Sequence, residues 1–182
     1  MISATTNVVF FLAMVCLSAC LLAEAPQPVL HYSFDPPTEE TVRDVAGKID
    51  DKVEGNFKSM PGPVGAALKP DGYTTRIVRS AEQAPALKAG FSVEAWVAQA
   101  AYPWNWCPVL SQRDGEEKGY YFAVGPRGDV ALELAVDGEW RRCVSQPDVV
   151  PLREWTHVAA TYDPAQGAVL YVNGKQTGRL EI

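Results

Sequence analysis

Apolar residues in this chain alternate with polar ones over short runs, and turn dipeptides cut the runs apart. A period of two is the period of a strand with one buried face. The pattern predicts eleven strands: Leu30–Phe34, Ala66–Lys69, Thr75–Val78, Ser92–Ala98, Val109–Gln112, Tyr120–Val124, Val130–Val136, Trp140–Ser145, His157–Tyr162, Ala168–Val172 and Gln176–Leu180. The punctuation is Asp71-Gly72, Asp114-Gly115, Asp137-Gly138 and Asn173-Gly174, pairs that accept the positive φ of tight turns. One window, Ser80–Gly90, has helical character, and Pro85 leaves it room for a single turn. The expectation is an all-β chain, an antiparallel sandwich or barrel.

Two hairpins can be given a register. Val169–Val172 turns at Asn173-Gly174 into Lys175 onward. A turn at Asp137-Gly138 sets Val136 against Glu139, Trp140 against Ala135, Arg142 against Glu133 and Cys143 against Leu132. The loop Gly125–Asp129 brings in a third strand, with Phe122 against Leu132 and Tyr120 against Leu134. One face of this meander then holds Tyr120, Phe122, Val124, Val130, Leu132, Leu134, Val136 and Cys143, a core face with Arg141 at its rim. The other holds Tyr121, Ala123, Ala131, Glu133, Ala135, Trp140, Arg142 and Val144, as a solvated or ligand-facing surface would. A slip of one residue would exchange the two faces. Trp96 and Trp155, in strands with apolar neighbours, are expected in the core, and His157 as a hydrogen-bonded strand histidine.

Composition changes the picture at the N-terminus. Val8–Ala23 is a run of 16 residues whose one polar member is Ser18. A membrane span needs about 20, so residues 1–23 read as a secretory signal and 24–29 as a linker to a domain over 30–182. Leu17-Ser18-Ala19-Cys20 resembles a bacterial lipobox, with Cys20 as the lipidated residue. Cleavage after Ala23, giving soluble export, is the leading route, with lipidation at Cys20 second and an uncleaved anchor third. Each places the domain outside the cytoplasm, with membrane contact only through the signal or a lipid. The net charge of -6 makes nucleic acid an unfavourable partner. In an oxidising compartment Cys107 and Cys143 either form one bridge or stay as two small buried residues.

Gly90-Phe-Ser-Val-Glu-Ala-Trp-Val97, Val109-Leu-Ser-Gln112, Glu154-Trp-Thr-His-Val-Ala-Ala-Thr-Tyr-Asp163 and Leu170-Tyr-Val-Asn-Gly174 resemble the laminin-G-like, concanavalin A-like jelly-roll domains of bacterial exported proteins. The resemblance runs from about Leu30 to the C-terminus, and Tyr102–Pro108 is most similar to versions attached to carbohydrate-active enzymes. It implies an antiparallel jelly-roll sandwich, commonly appended to secreted glycoside hydrolases and adhesins. Such domains usually continue beyond the Asn-Gly hairpin with a further strand, so a C-terminal strand is expected to be missing here. Many carry a structural calcium ion. Asp35, Asp44 and Asp163, beside strand ends, are its candidate ligands, and turn caps are the competing reading.

Catalysis is disfavoured by what the sequence lacks. Glucanases of this fold resemble Glu-x-Asp-x-x-Glu on one strand, since a retaining pair needs carboxylates about 5–5.5 Å apart. No Glu here is followed two positions later by Asp or Glu. Asp114/Glu116 and Asp137/Glu139 flank turn glycines, and Glu133 to Asp137 spans about 13 Å along a strand. There is no Gly-x-Ser-x-Gly elbow, Walker loop or paired-histidine metal motif. Two surfaces are candidates for binding sugar: Tyr121, Glu133, Trp140 and Arg142 on the meander, and the stacking residues Tyr102, Trp104 and Trp106. The expected function is an exported, non-catalytic carbohydrate-binding or interaction module, the N-terminal part of a larger secreted glycoside hydrolase, its partner a glycan or a neighbouring catalytic domain. A cell-surface adhesion or scaffold domain binding protein is the rival, and a catalytic β-glucanase a third reading.

Overall fold

A computed structural model describes residues 27–35, 40–87, 90–115 and 117–182. The proposed signal, the lipidation candidate Cys20 and the start of the linker lie outside the described residues. So does Glu116.

Two four-stranded antiparallel sheets form the sandwich. One runs in the order β10-β9-β8-β7, from β7 (Cys107–Asp114), β8 (Lys118–Val124), β9 (Val130–Val136) and β10 (Glu139–Val144). The other runs β13-β12-β11-β6, from β6 (Phe91–Val97), β11 (Thr156–Asp163), β12 (Gly167–Val172) and β13 (Lys175–Leu180). The expected registers hold residue for residue: Arg142 faces Glu133, Cys143 faces Leu132, Phe122 faces Leu132 and Tyr120 faces Leu134. Both hairpin turns are left-handed at both residues, with φ of 53° and 79° at Asp137-Gly138 and 49° and 74° at Asn173-Gly174. That backbone twist matches the twist of the strands it joins.

Phe122, Leu132 and Val130 of the first sheet meet Val158, Ala160 and Leu170 of the second in a core where these side chains are fully buried. The two sheets come close at β10 and β13, where a methyl group on Gly178 would stand 2.8 Å from the Val144 carbonyl oxygen. Glycine is required there by backbone proximity.

The N-terminal part differs from expectation. It contains β1 (Thr41–Asp44), β2 (Ile49–Glu54), β3 (Phe57–Pro61), β4 (Ala66–Pro70) and β5 (Arg76–Val78), arranged as a three-stranded sheet β1-β2-β5 and a β3-β4 pair. The first three strands were not expected from the pattern. Alternation is present in β1 and β2, but half of their inward positions are aspartates: Val42 and Asp44 are buried in β1, Asp51 and Val53 in β2, while β3 has no buried position. Leu30–Phe34 is not a strand. Phe34 has φ of 62°, outside the extended region, and a lone bridge joins Tyr32 to Asp44. Around Ser80 the backbone makes the expected single turn, the Ala84 N–H donating to the Ser80 carbonyl at 3.0 Å.

Candidate functional site

The outer face of the β7–β10 sheet gathers most of the predicted sugar-binding residues. Side chains alternate along each strand, so Tyr121 of β8, Glu133 of β9 and Arg142 of β10 align in one row across the sheet. Trp140 stands one step along, opposite Ala135. Sequence reasoning missed a further member, Arg113 of β7. It sits opposite Gly119, whose lack of a side chain leaves the surface low there. The Arg113 guanidinium carbon lies 4.8 Å from the centre of the Tyr121 ring and 4.5 Å from that of Trp140. Arg142 stacks in the same way on Trp106, at 5.5 Å. Glu133 joins the two cations, one carboxylate oxygen on Arg142 and the other 3.3 Å from Arg113. Its side chain is only 14% exposed, whereas Arg113 and Arg142 are close to half exposed. The signal for Arg113 lay in register, since it stands two positions along the strand from Ser111, the partner of Tyr121.

The rest of this face is less open than the pattern implied. Ala123 and Ala131 point outward, yet are 0% and 1% exposed. The segment leading into β7 packs near them. A methyl group at Gly125 would stand 2.7 Å from the Trp106 ring, and one at Gly128 would stand 2.9 Å from the Tyr102 ring. The Tyr121 hydroxyl donates to the Trp106 carbonyl at 3.0 Å, and burial raises the Tyr121 pKa.

Tyr102, Trp104 and Trp106 therefore do not share one stacking platform. The chain bends at Trp104 and Asn105, and the Trp106 N–H donates to the Asn105 side-chain oxygen at 2.8 Å. Tyr102 and Trp106 are half-buried against the Gly125–Asp129 loop, while Trp104 is 90% exposed.

Other expectations are corrected. Cys107 and Cys143 are both free, the first exposed and the second buried. They lie on the two edge strands of one sheet, three strand spacings apart. That is about 14 Å, against the 4.4–6.8 Å between Cα atoms that a disulfide needs. Burial raises both thiol pKa values, that of Cys143 to about 11.

Asp35, Asp44 and Asp163 do not converge on a metal site, and no group of three or more metal-ligating side chains occurs among the described residues. Each accepts from backbone N–H groups instead, and Asp44 also pairs with Arg79. Asp35 accepts from the Ala66 N–H, Asp44 from His31 and Ala46, and Asp163 from Ala165 and Gln166. A carboxylate satisfies turn N–H groups in this way, which is the turn-cap reading.

Trp96 is not a core residue. It is 49% exposed on the outer face of the β6–β13 sheet, its ring 5.3 Å from that of His157, which also meets Glu94 at 3.3 Å. Trp155 is only partly buried.

This architecture and its sequence agree with one family. A laminin G-type family model described as the Concanavalin A-like lectin/glucanases superfamily matches residues 71–182. The chain belongs to that superfamily, whose name covers both lectins and glucanases. No curated protein matches the sequence. Among solved structures, the binding domain of botulinum neurotoxin DC in complex with rat synaptotagmin II superposes with a TM-score of 0.63 at 15% identity, covering 85% of this chain and 39% of that one. The same toxin's binding domain in complex with SialylT gives 0.57 at 16% identity, over 78% and 37%. An S-layer domain-containing protein from Clostridium thermocellum gives 0.55 at 19% identity, over 83% and 71%. These likenesses show the fold. The chain spans about two fifths of the toxin binding domains it matches.

Proposed function

We propose that this chain is an exported, non-catalytic recognition module for carbohydrate, carried on a longer secreted protein. The observation that carries the reading is Trp104, an indole 90% exposed two residues before Trp106, whose ring lies against Arg142 of the outer sheet face. An indole left in water carries an unspent hydrophobic surface, and the C–H face of a pyranose is its natural complement. Two structural neighbours are toxin binding domains, one solved in complex with rat synaptotagmin II and one with SialylT.

The absence of catalysis is supported by charge placement. On the outward positions of β7–β10 the single carboxylate is Glu133, and both of its oxygens face arginines. Glycoside hydrolysis needs a second carboxylate within about 5–10 Å.

A glycan array probed with the full chain tests the reading. Binding is expected, with a loss of about tenfold or more for Trp104→Ala and no change in melting temperature, because this ring packs against nothing that stabilises the fold. An array without binding overturns it. Protein recognition is the second reading, favoured by Trp96 on the opposite sheet. It predicts a flat array and loss of a protein partner on Trp96→Ala.

A further inference from the structure

We propose that the outer face of the β7–β10 sheet selects acidic sugars, with the carboxylate of a uronate unit received by Arg113 and Arg142. The inference rests on the carbohydrate reading above and narrows its ligand.

Three charged side chains occupy outward positions on these four strands: Arg113, Glu133 and Arg142. Their sum is one positive charge, on a molecule whose net charge is -6. The face is thus opposite in sign to the molecule that carries it. At physiological ionic strength charges are screened beyond about 8 Å, so the acidic remainder does not cancel a contact made here.

Geometry adds to charge. A guanidinium carries five N–H donors in a plane. The Arg113 guanidinium lies over the Tyr121 and Trp140 rings, and that of Arg142 over the Trp106 ring. Ring contact restricts where each guanidinium sits, and its remaining N–H donors are the groups that can meet a carboxylate fork to fork. Glu133 is the one carboxylate paired with either arginine among the described residues, and it is divided between them. Ordering of both side chains is already paid by the rings, which lowers the cost of binding. A neutral sugar would cover these cations without satisfying them. An acidic peptide offers the same charge but no pyranose face for the exposed Trp104.

The test is calorimetric titration of the full chain, at physiological ionic strength, with three probes. These are a galacturonate oligosaccharide, its carboxyl-reduced galactose counterpart and an oligoglutamate peptide of equal charge. The uronate is expected to bind at least about tenfold tighter than the reduced sugar, the worth of one charge-assisted hydrogen bond. Arg113→Gln and Arg142→Gln should each remove that preference, and Glu133→Gln should strengthen uronate binding. Arg113→Lys, which keeps the charge and loses the fork, should give an intermediate loss, and it serves if the glutamine variant unfolds. Equal affinity for the two sugars overturns the acidic-sugar proposal and leaves the carbohydrate reading standing. Binding of oligoglutamate as tight as that of the uronate also overturns the proposal. Binding to neither sugar defeats both.

Discussion

The Arg79 guanidinium lies between two aspartates. Its Nη1 is 2.9 Å from Asp44 and its Nη2 is 2.5 Å from Asp51, and all three side chains are at most 8% exposed. Tyr32 donates its hydroxyl to Asp51 at 2.8 Å, and burial together with that carboxylate pushes the phenol far above its usual pKa. Burial alone would raise the Asp44 pKa, but N–H groups of Gly47 and His31 and the Arg79 cation outweigh it and hold it low. The hydrogen bond from Arg79 lowers the pKa of Asp51. A carboxylate whose folded pKa is depressed contributes stability that is complete above its unfolded value of about 3.9 and is lost as pH falls through the folded value. Urea denaturation should therefore show stability falling below about pH 4. Arg79→Met should cost about 3–5 kcal/mol at neutral pH, because it strands two buried negative charges. That penalty should shrink at pH 3, where the stranded carboxylates protonate. An unchanged penalty would show that packing, and not charge, is what the variant removes. The same residues explain a misreading: a buried aspartate in a one-dimensional pattern is indistinguishable from a solvated one, so β1 and β2 looked like loop.

At the scale of the element, the strands of the sandwich and their hairpins were legible because each has apolar inward positions and turn residues suited to positive φ. Two glycines separate what turn chemistry requires from what packing requires. Gly174 has φ of 74° and open space around it, whereas Gly119 has φ of 117° and sits where a methyl group would stand 2.0 Å from the Gln112 carbonyl oxygen. Gly174→Ala should cost about 1–2 kcal/mol, the left-handed backbone penalty alone. Gly119→Ala should cost more, since the β7–β8 pair must also separate. Equal denaturation midpoints would contradict this ordering. The 102–106 segment was only partly legible. Its aromatic composition was visible, but the bend at Asn105, which turns Trp104 outward and Trp106 onto Gly125, depends on a local hydrogen bond and on a glycine some 20 positions away.

For the whole molecule the decisive feature is the dry layer between the two four-stranded sheets. Phe122 is fully buried there, and Phe122→Ala should cost about 3–5 kcal/mol through lost burial and the cavity left behind. Trp96→Ala should leave stability within about 0.5 kcal/mol, because its ring stays on the outer surface. Comparable losses from both would place Trp96 in the core after all.

The alternation of residue types by itself determined the antiparallel strands, the register of the meander and which face of it is dry, since side chains on a strand have only two directions to choose from. Tertiary structure alone decided which outward residues meet. Arg113 reaches Trp140 across two intervening strands, Trp106 folds back onto Arg142, Cys107 and Cys143 part to opposite edges, and two aspartates are buried by one arginine. The reason is that pattern is set by the chain's nearest neighbours, whereas a binding surface is set by contacts between segments whose separation along the chain carries no periodic signal.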